Sequence, residues 1–232
     1  MLRSRAIPSL TAGILLLGLT ACSGDESSAD DTPPEDVLAA ARATLDETSG
    51  VDLTLATDDL PRGVTGVEEA AGVATHAPAF DGTITVNLLG QTVQVPVVAV
   101  DGTVYAELPF TSGFQDVDPG DYGAPDPAQL MDPDGGFSAL LGETTDLERG
   151  ESVRGGADNS EVLTEYSGTV SAKVMQGIIP TASGDFDVVY TITDDDELRT
   201  AVLTGVFYED SESMTYTVTF EDYGTEKDIT AP

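Results

Sequence analysis

The strongest constraint on the fold lies in residues 82–110, where apolar residues recur at every second position and two turn-forming pairs, Gly90-Gln91 and Asp101-Gly102, divide the run. A period of two puts alternate side chains on one face of an extended chain, and two-residue turns fold successive stretches into antiparallel hairpins. Closing the first turn on Leu89 and Thr92 sets Leu88 opposite Val93, Val86 opposite Val95 and Ile84 opposite Val97. Closing the second on Val100 and Thr103 sets Val97 opposite Ala106 and Val95 opposite Leu108. One face then carries Ile84, Val86, Leu88, Val93, Val95, Val97, Ala106 and Leu108, with Thr83, Thr85 and Asn87 on the reverse. A slip of one residue would turn the whole apolar set to water, so the register is well specified.

The same pattern returns in residues 185–223, with turns near Asp195-Asp196 and Asp210-Ser211. It aligns Phe186, Val188 and Tyr190 with Ala201, Leu203, Gly205 and Phe207, and these with Met214, Tyr216, Val218 and Phe220. Two meanders, each apolar on one face, imply either one curved sheet or a sandwich. Helical spacing is confined to a few places. Thr32-Pro33-Pro34-Glu35 has the form of a capping box with proline at the first helical position, followed by Val37, Leu38, Ala41 and Leu45, with Gly50 placed as the stop. Residues 126–131, 136–141 and 171–176 read as short helices suited to covering the apolar face, and 112–125 as an irregular loop. The class is therefore α+β, mainly antiparallel β.

The N-terminus sets where the chain works. Arg3 and Arg5 precede a mostly apolar stretch, 7–19, that is too short for a transmembrane span, and Leu19-Thr20-Ala21-Cys22 follows with no acid before Asp25. A cysteine directly after Leu-Thr-Ala resembles the bacterial lipobox, in which the thiol accepts a diacylglyceryl group and cleavage frees the α-amine for a further acyl chain. Cys22 is the only cysteine, so it has no partner for an internal disulfide. The other reading is an ordinary secretory signal that ends in a cysteine. The expected organisation is a cleaved lipoprotein signal peptide over 1–21, a flexible acidic tether over 22–31 and one folded domain over 32–232. The protein is expected on the extracytoplasmic face of the cell membrane, anchored through lipid on Cys22.

Charge and composition then remove function classes. With Lys and Arg at 9 and Asp and Glu at 42, the net charge of −33 repels nucleic acid, which is not expected as a partner. His76 is the sole histidine, no Gly-x-Ser-x-Gly elbow is present, and a zinc site built from His and Cys lacks ligands. Asp132-Pro133-Asp134-Gly135 and Asp194-Asp195-Asp196 do not continue into an EF-hand, and turn chemistry explains both. So many carboxylates make any chosen glycosidase pair uninformative. There is no tryptophan to serve as a sugar platform and no phosphate loop. No catalytic residue, metal or cofactor is expected, and a hydrolase built on His76 ranks below a non-enzymatic role.

A set of segments in order points further: 82–108 with Val97-Val98-Ala99-Val100-Asp101-Gly102-Thr103-Val104-Tyr105-Ala106, then Asp126-Pro127-Ala128-Gln129-Leu130-Met131, Ser167-Gly168-Thr169-Val170-Ser171-Ala172, Ala201-Val202-Leu203-Thr204-Gly205 and the closing Ile229-Thr230-Ala231-Pro232. Together with the lipobox, it resembles the LppX/LprAFG lipoproteins of mycobacteria, including the LprG-like members. That resemblance implies a half-barrel: a strongly bent antiparallel sheet, helices on its concave side, and an apolar cavity for the acyl chains of glycolipids, phospholipids or triacylglycerol. It places Ile84 on a cavity-facing strand, followed by Val86 and Leu88. With the face derived above, the expected lipid-binding set is Ile84, Val86, Leu88, Val93, Val95, Val97, Leu203, Phe207 and Val218. The implied partners are acylated lipids, the membrane and a membrane lipid exporter, with lipid as cargo and not as cofactor. A chain of about sixteen carbons kept from water is worth on the order of 12 kcal/mol, at roughly 0.8 kcal/mol per methylene. From the pattern alone, the apolar face reads as a filled core; the alternative function is then an envelope scaffold or adhesin that binds a protein through the 112–125 loop.

Overall fold

The computed structural model describes residues 32–232 apart from 89, 123 and 157–158, so the segments expected as signal peptide and tether, with Cys22, lie outside the described residues. Thr32–Pro232 forms one unit. Its strands are β1 (Gly50–Ala56), β2 (Gly66–Thr75), β3 (Ala79–Leu88), β4 (Gln91–Val100), β5 (Thr103–Ala106), β6 (Gln115–Val117), β7 (Thr145–Gly155), β8 (Glu161–Val170), β9 (Ser183–Thr193), β10 (Leu198–Val206) and β11 (Met214–Glu221). They make one sheet in the order β6-β5-β4-β3-β2-β1-β11-β10-β9-β8-β7. Two antiparallel meanders, β1 to β6 and β7 to β11, are joined where β1 pairs antiparallel with β11, from Asp52 opposite Glu221 to Ala56 opposite Thr217. The sandwich alternative falls, and the sheet is an open half-barrel with β6 and β7 as its edges.

The turn between β4 and β5 forms as expected. Val100 pairs with Thr103 and Val97 with Ala106, and Asp101 and Gly102 adopt positive φ of 54° and 73°. Those signs match the twist of the flanking strands. The β3–β4 turn differs from expectation. Leu88 pairs with Gln91, Val86 with Val93 and Ile84 with Val95, a register two residues from the expected one. The cause is Gly90, whose φ of 82° supplies the left-handed position one residue before the expected closure, and whose N–H donates to Asn87 Oδ1 at 2.9 Å. Because the side-chain period is two, a two-residue shift leaves every apolar residue on its expected face. In the second meander, Leu203 pairs with Val188 and Tyr216, and Ala201 with Tyr190 and Val218.

Helix α1 (Pro34–Glu47) buries Leu38, Ala41 and Leu45. The capping box does not form. The N-cap is Pro33, whose carbonyl accepts from the N–H of Asp36 at 3.0 Å and of Val37 at 3.3 Å, and no side chain caps the end. Thr32 precedes a proline and is biased to extended backbone, while the fixed φ of the prolines starts the helix. Gly50 opens β1 instead of closing α1. Two further helices, α2 (Phe137–Glu143) and α3 (Ala172–Met175), follow, with a 3₁₀ turn at Pro127–Met131 capped by the Asp126 carboxylate, which accepts from the Ala128 N–H at 2.9 Å. The 112–125 segment is more regular than expected, because it contains β6, paired with β5, and a 3₁₀ turn at Pro119–Tyr122.

The apolar face of the sheet is covered in two different ways. Over β9 to β11 it is filled by rings in edge contact: Phe207 lies 4.9 Å from both Phe186 and Tyr216, and Phe137 of α2 lies 5.3 Å from Phe220. Edge-to-face pairs of this kind pack densely. Over β2 to β6 the face is aliphatic and is only partly filled.

Candidate functional site

The unfilled part is an apolar cavity of about 110 Å³. Ile84, Val86 and Leu88 of β3 line one wall, and Val95 and Val97 of β4 with Val104 and Ala106 of β5 continue it. The roof is proline-rich: Pro119, Ala124, Pro125 and Pro127 come from the segment that follows β6, with Pro109 from the loop before it. A second apolar cavity of about 60 Å³ adjoins the first and reaches Leu53, Leu55, Phe80, Leu130 and Ile178.

Local irregularity in β2 shapes the junction of the two. The β2–β3 register shifts between Val67 and Glu69, so Val67 stands opposite Val86 while Ala70 stands opposite Ile84. Such a bulge re-aims a side chain at the end of a strand, and Val67 lines both cavities. Its backbone is held by two tyrosines. The Val67 N–H donates to the Tyr208 hydroxyl at 3.1 Å, Tyr208 donates to the Tyr216 hydroxyl at 2.7 Å, and Tyr216 donates to the Val67 carbonyl. Every donor and acceptor in this ring is used. Burial, and then the neighbouring Tyr208, push the Tyr216 hydroxyl well above the usual tyrosine range, so it stays protonated and donating at any physiological pH.

Among the residues lining the larger cavity, only Thr65 and Tyr208 have a polar side-chain atom, and none is charged. There is no nucleophile and base pair within it. His76 lies outside both linings, with Nε2 donating to the Leu45 carbonyl at 2.8 Å, which ties α1 to the end of β2. No group of three or more His, Cys, Asp and Glu suited to a metal occurs among the described residues.

The expected binding set is divided by the fold. Ile84, Val86, Leu88, Val95 and Val97 line the larger cavity together. Val93 is half-buried against the core and lines neither cavity. Leu203, Phe207 and Val218 do not belong to the cavity; all are at most 1% exposed inside the ring-filled half. Leu203 and Val218 share the alternation of β3 and β4, but with Phe207, whose ring meets Phe186 and Tyr216 edge-on, they are packed into the buried core cluster. Tyr208 and the prolines of the roof were not anticipated. The one signal for the prolines is their density between residues 109 and 127, of which 112–125 reads from sequence as a loop and only Pro127 falls in a segment expected to cover the apolar face; nothing in the sequence marks Tyr208.

The profile of the LppX_LprAFG lipoprotein family matches residues 33–231. The chain belongs to the LppX_LprAFG lipoprotein family. Solved structures agree in fold with this LppX_LprAFG member. LprF from Mycobacterium bovis superposes with a TM-score of 0.67 at 17% identity, over 86% of this chain and 96% of that one. The lipoprotein LppX of Mycobacterium tuberculosis superposes with a TM-score of 0.60 at 14% identity, over 85% of this chain and 98% of that one. A comparison with curated proteins gives no match.

Proposed function

We propose that this LppX_LprAFG lipoprotein holds the acyl part of an envelope lipid in the cavity under the proline-rich roof, and carries or presents that lipid beside the membrane to which Cys22 anchors it. The observation that carries this reading is a wall of aliphatic side chains with no charge, in which the only polar side chains are Thr65 at the exposed rim and Tyr208, whose hydroxyl is already hydrogen-bonded. A hydrocarbon chain loses nothing by leaving water for such a wall, whereas a headgroup has nothing to bind there and stays outside. The larger cavity, about 110 Å³, is below the few hundred Å³ typical of sites that enclose a whole ligand, so it suits a segment of one chain and not a complete diacyl lipid. Neither cavity lining pairs a nucleophile with a base, which favours a carrier over an enzyme.

Anchoring on the extracytoplasmic face fits the lipobox at Cys22 and places the domain within reach of membrane lipids and of a membrane lipid exporter. Two measurements test the reading. Mass spectrometry of lipid extracted from the purified domain should find acylated lipid in stoichiometric amount; lipid-free protein that takes up no added lipid would overturn it. Replacing Cys22 by Ser should move the protein from the membrane fraction to the soluble exported fraction, and unchanged membrane retention would remove the anchor.

A further inference from the structure

The two cavities meet at a junction lined by Val67, Ile84, Tyr208 and the roof residues Ala124, Pro125 and Pro127, which line both. The larger cavity is the outer one, since its rim includes the exposed Thr65 and Pro109, whereas the smaller one is lined only by buried and half-buried residues. Tyr208 is the one aromatic residue of the junction, and it is 9% exposed. Its ring is clamped. One side lies on β2 so closely that a Cβ at Gly66 would stand 2.7 Å from the ring carbon that bears the hydroxyl. The hydroxyl itself is fixed by the Val67 N–H and by Tyr216. Swinging the ring aside would break both bonds inside an apolar site, where unmade hydrogen bonds are costly.

We infer that Tyr208 is a chain-length gauge: an acyl chain entering the outer cavity stops at its ring, and the inner cavity is reached only when that ring or the opposing Ile84 is made smaller. The inference rests on the lipid-carrier reading and adds to it a selection for chain length. A chain gains affinity by about fourfold for each methylene it buries, so affinity should climb with length and then level where the chain meets the ring.

The test uses the mature domain and a series of saturated lysophosphatidylcholines of increasing chain length, with affinity measured by displacement of a fluorescent fatty acid. In the native protein, affinity should rise and reach a plateau. In Tyr208→Leu and in Ile84→Ala, the plateau should move to chains longer by about three or four methylenes, roughly the span of the phenol ring. Ile84→Ala leaves the tyrosine ring of hydrogen bonds untouched, so it decides the matter if Tyr208→Leu does not fold. A plateau at the same chain length in the folded variants would overturn the gauge while leaving the carrier reading standing. Absence of binding at every chain length would overturn the carrier reading and the gauge with it.

Discussion

The ring of Phe186 on β9 lies against Gly205 of β10, so close that a Cβ on residue 205 would overlap its edge. Phe186 and its partner Phe207 have no measurable exposure, so the ring has nowhere to retreat. Gly205→Ala should therefore destabilise the fold by about 1–3 kcal/mol, the usual cost of overpacking. Equilibrium denaturation would read this as a lower midpoint with an unchanged slope.

Tyr208→Phe keeps the ring but leaves the Val67 N–H without its acceptor and Tyr216 without its donor. The expected cost is about 1–3 kcal/mol. Tyr216→Phe should cost a similar amount, and the double variant less than the sum, because both changes break the same ring of bonds. Strict additivity in a double-mutant cycle would contradict the network.

Ile84→Trp fills the junction of the two cavities. Lipid recovered from the purified variant should fall well below that of the native protein, while the far-ultraviolet spectrum stays the same. Lipid content equal to the native value would show that Ile84 is not part of the site.

Asp52 stands on the outer face of β1, and its carboxyl is raised above the ordinary 3.8 by burial, then by the charge of Asp222 and a hydrogen bond to it, against a smaller lowering by Lys227. A proton held more tightly in the folded state stabilises it at low pH. That contribution is lost as pH rises from 3.8 through the raised folded value. At neutral pH the ionised pair repels. Asp52→Asn should raise the melting temperature at neutral pH, and the gain should vanish below the ordinary carboxylate range; a gain independent of pH would contradict the pairing with Asp222.

A net charge of −33 makes self-repulsion a general cost to the folded state. Raising sodium chloride from about 0.02 M to about 0.5 M should raise the melting temperature, because the Debye length falls below the spacing of most surface carboxylates. The variant Arg199→Met, which removes the ion pairs to Glu161 and Glu197 at 2.8 and 2.9 Å, should respond more strongly to salt than the native chain.

Much of this arrangement follows from local pattern. Alternation in 82–110 and 185–223 determines strands, their antiparallel pairing within each meander and the face each residue takes, because the period of a strand is set by the backbone and not by its neighbours. Asp101-Gly102 determines its turn because few other pairs tolerate two positive φ values in succession. The Gly90 turn was legible in kind but not in place, since a glycine serves one position of a turn as well as the next. Helix α1 was legible from Leu38, Ala41 and Leu45, though not its first residue.

Two matters were left to the tertiary structure. The joining of the meanders through Asp52 to Ala56 of β1 and Thr217 to Glu221 of β11 is a pairing across most of the chain, and no local signal distinguishes those edges from others. The second is which half of the apolar face is full. Alternation determines that Ile84, Val86 and Leu88, like Leu203 and Val218, turn away from water, but it carries no measure of the volume that meets them. Converging rings of Phe137, Phe186, Phe207 and Phe220 close one half. In the other, short prolines and Ala124 span the gap with few side-chain atoms, and the space that remains is lined at its junction by Tyr208, Val67 and Ile84.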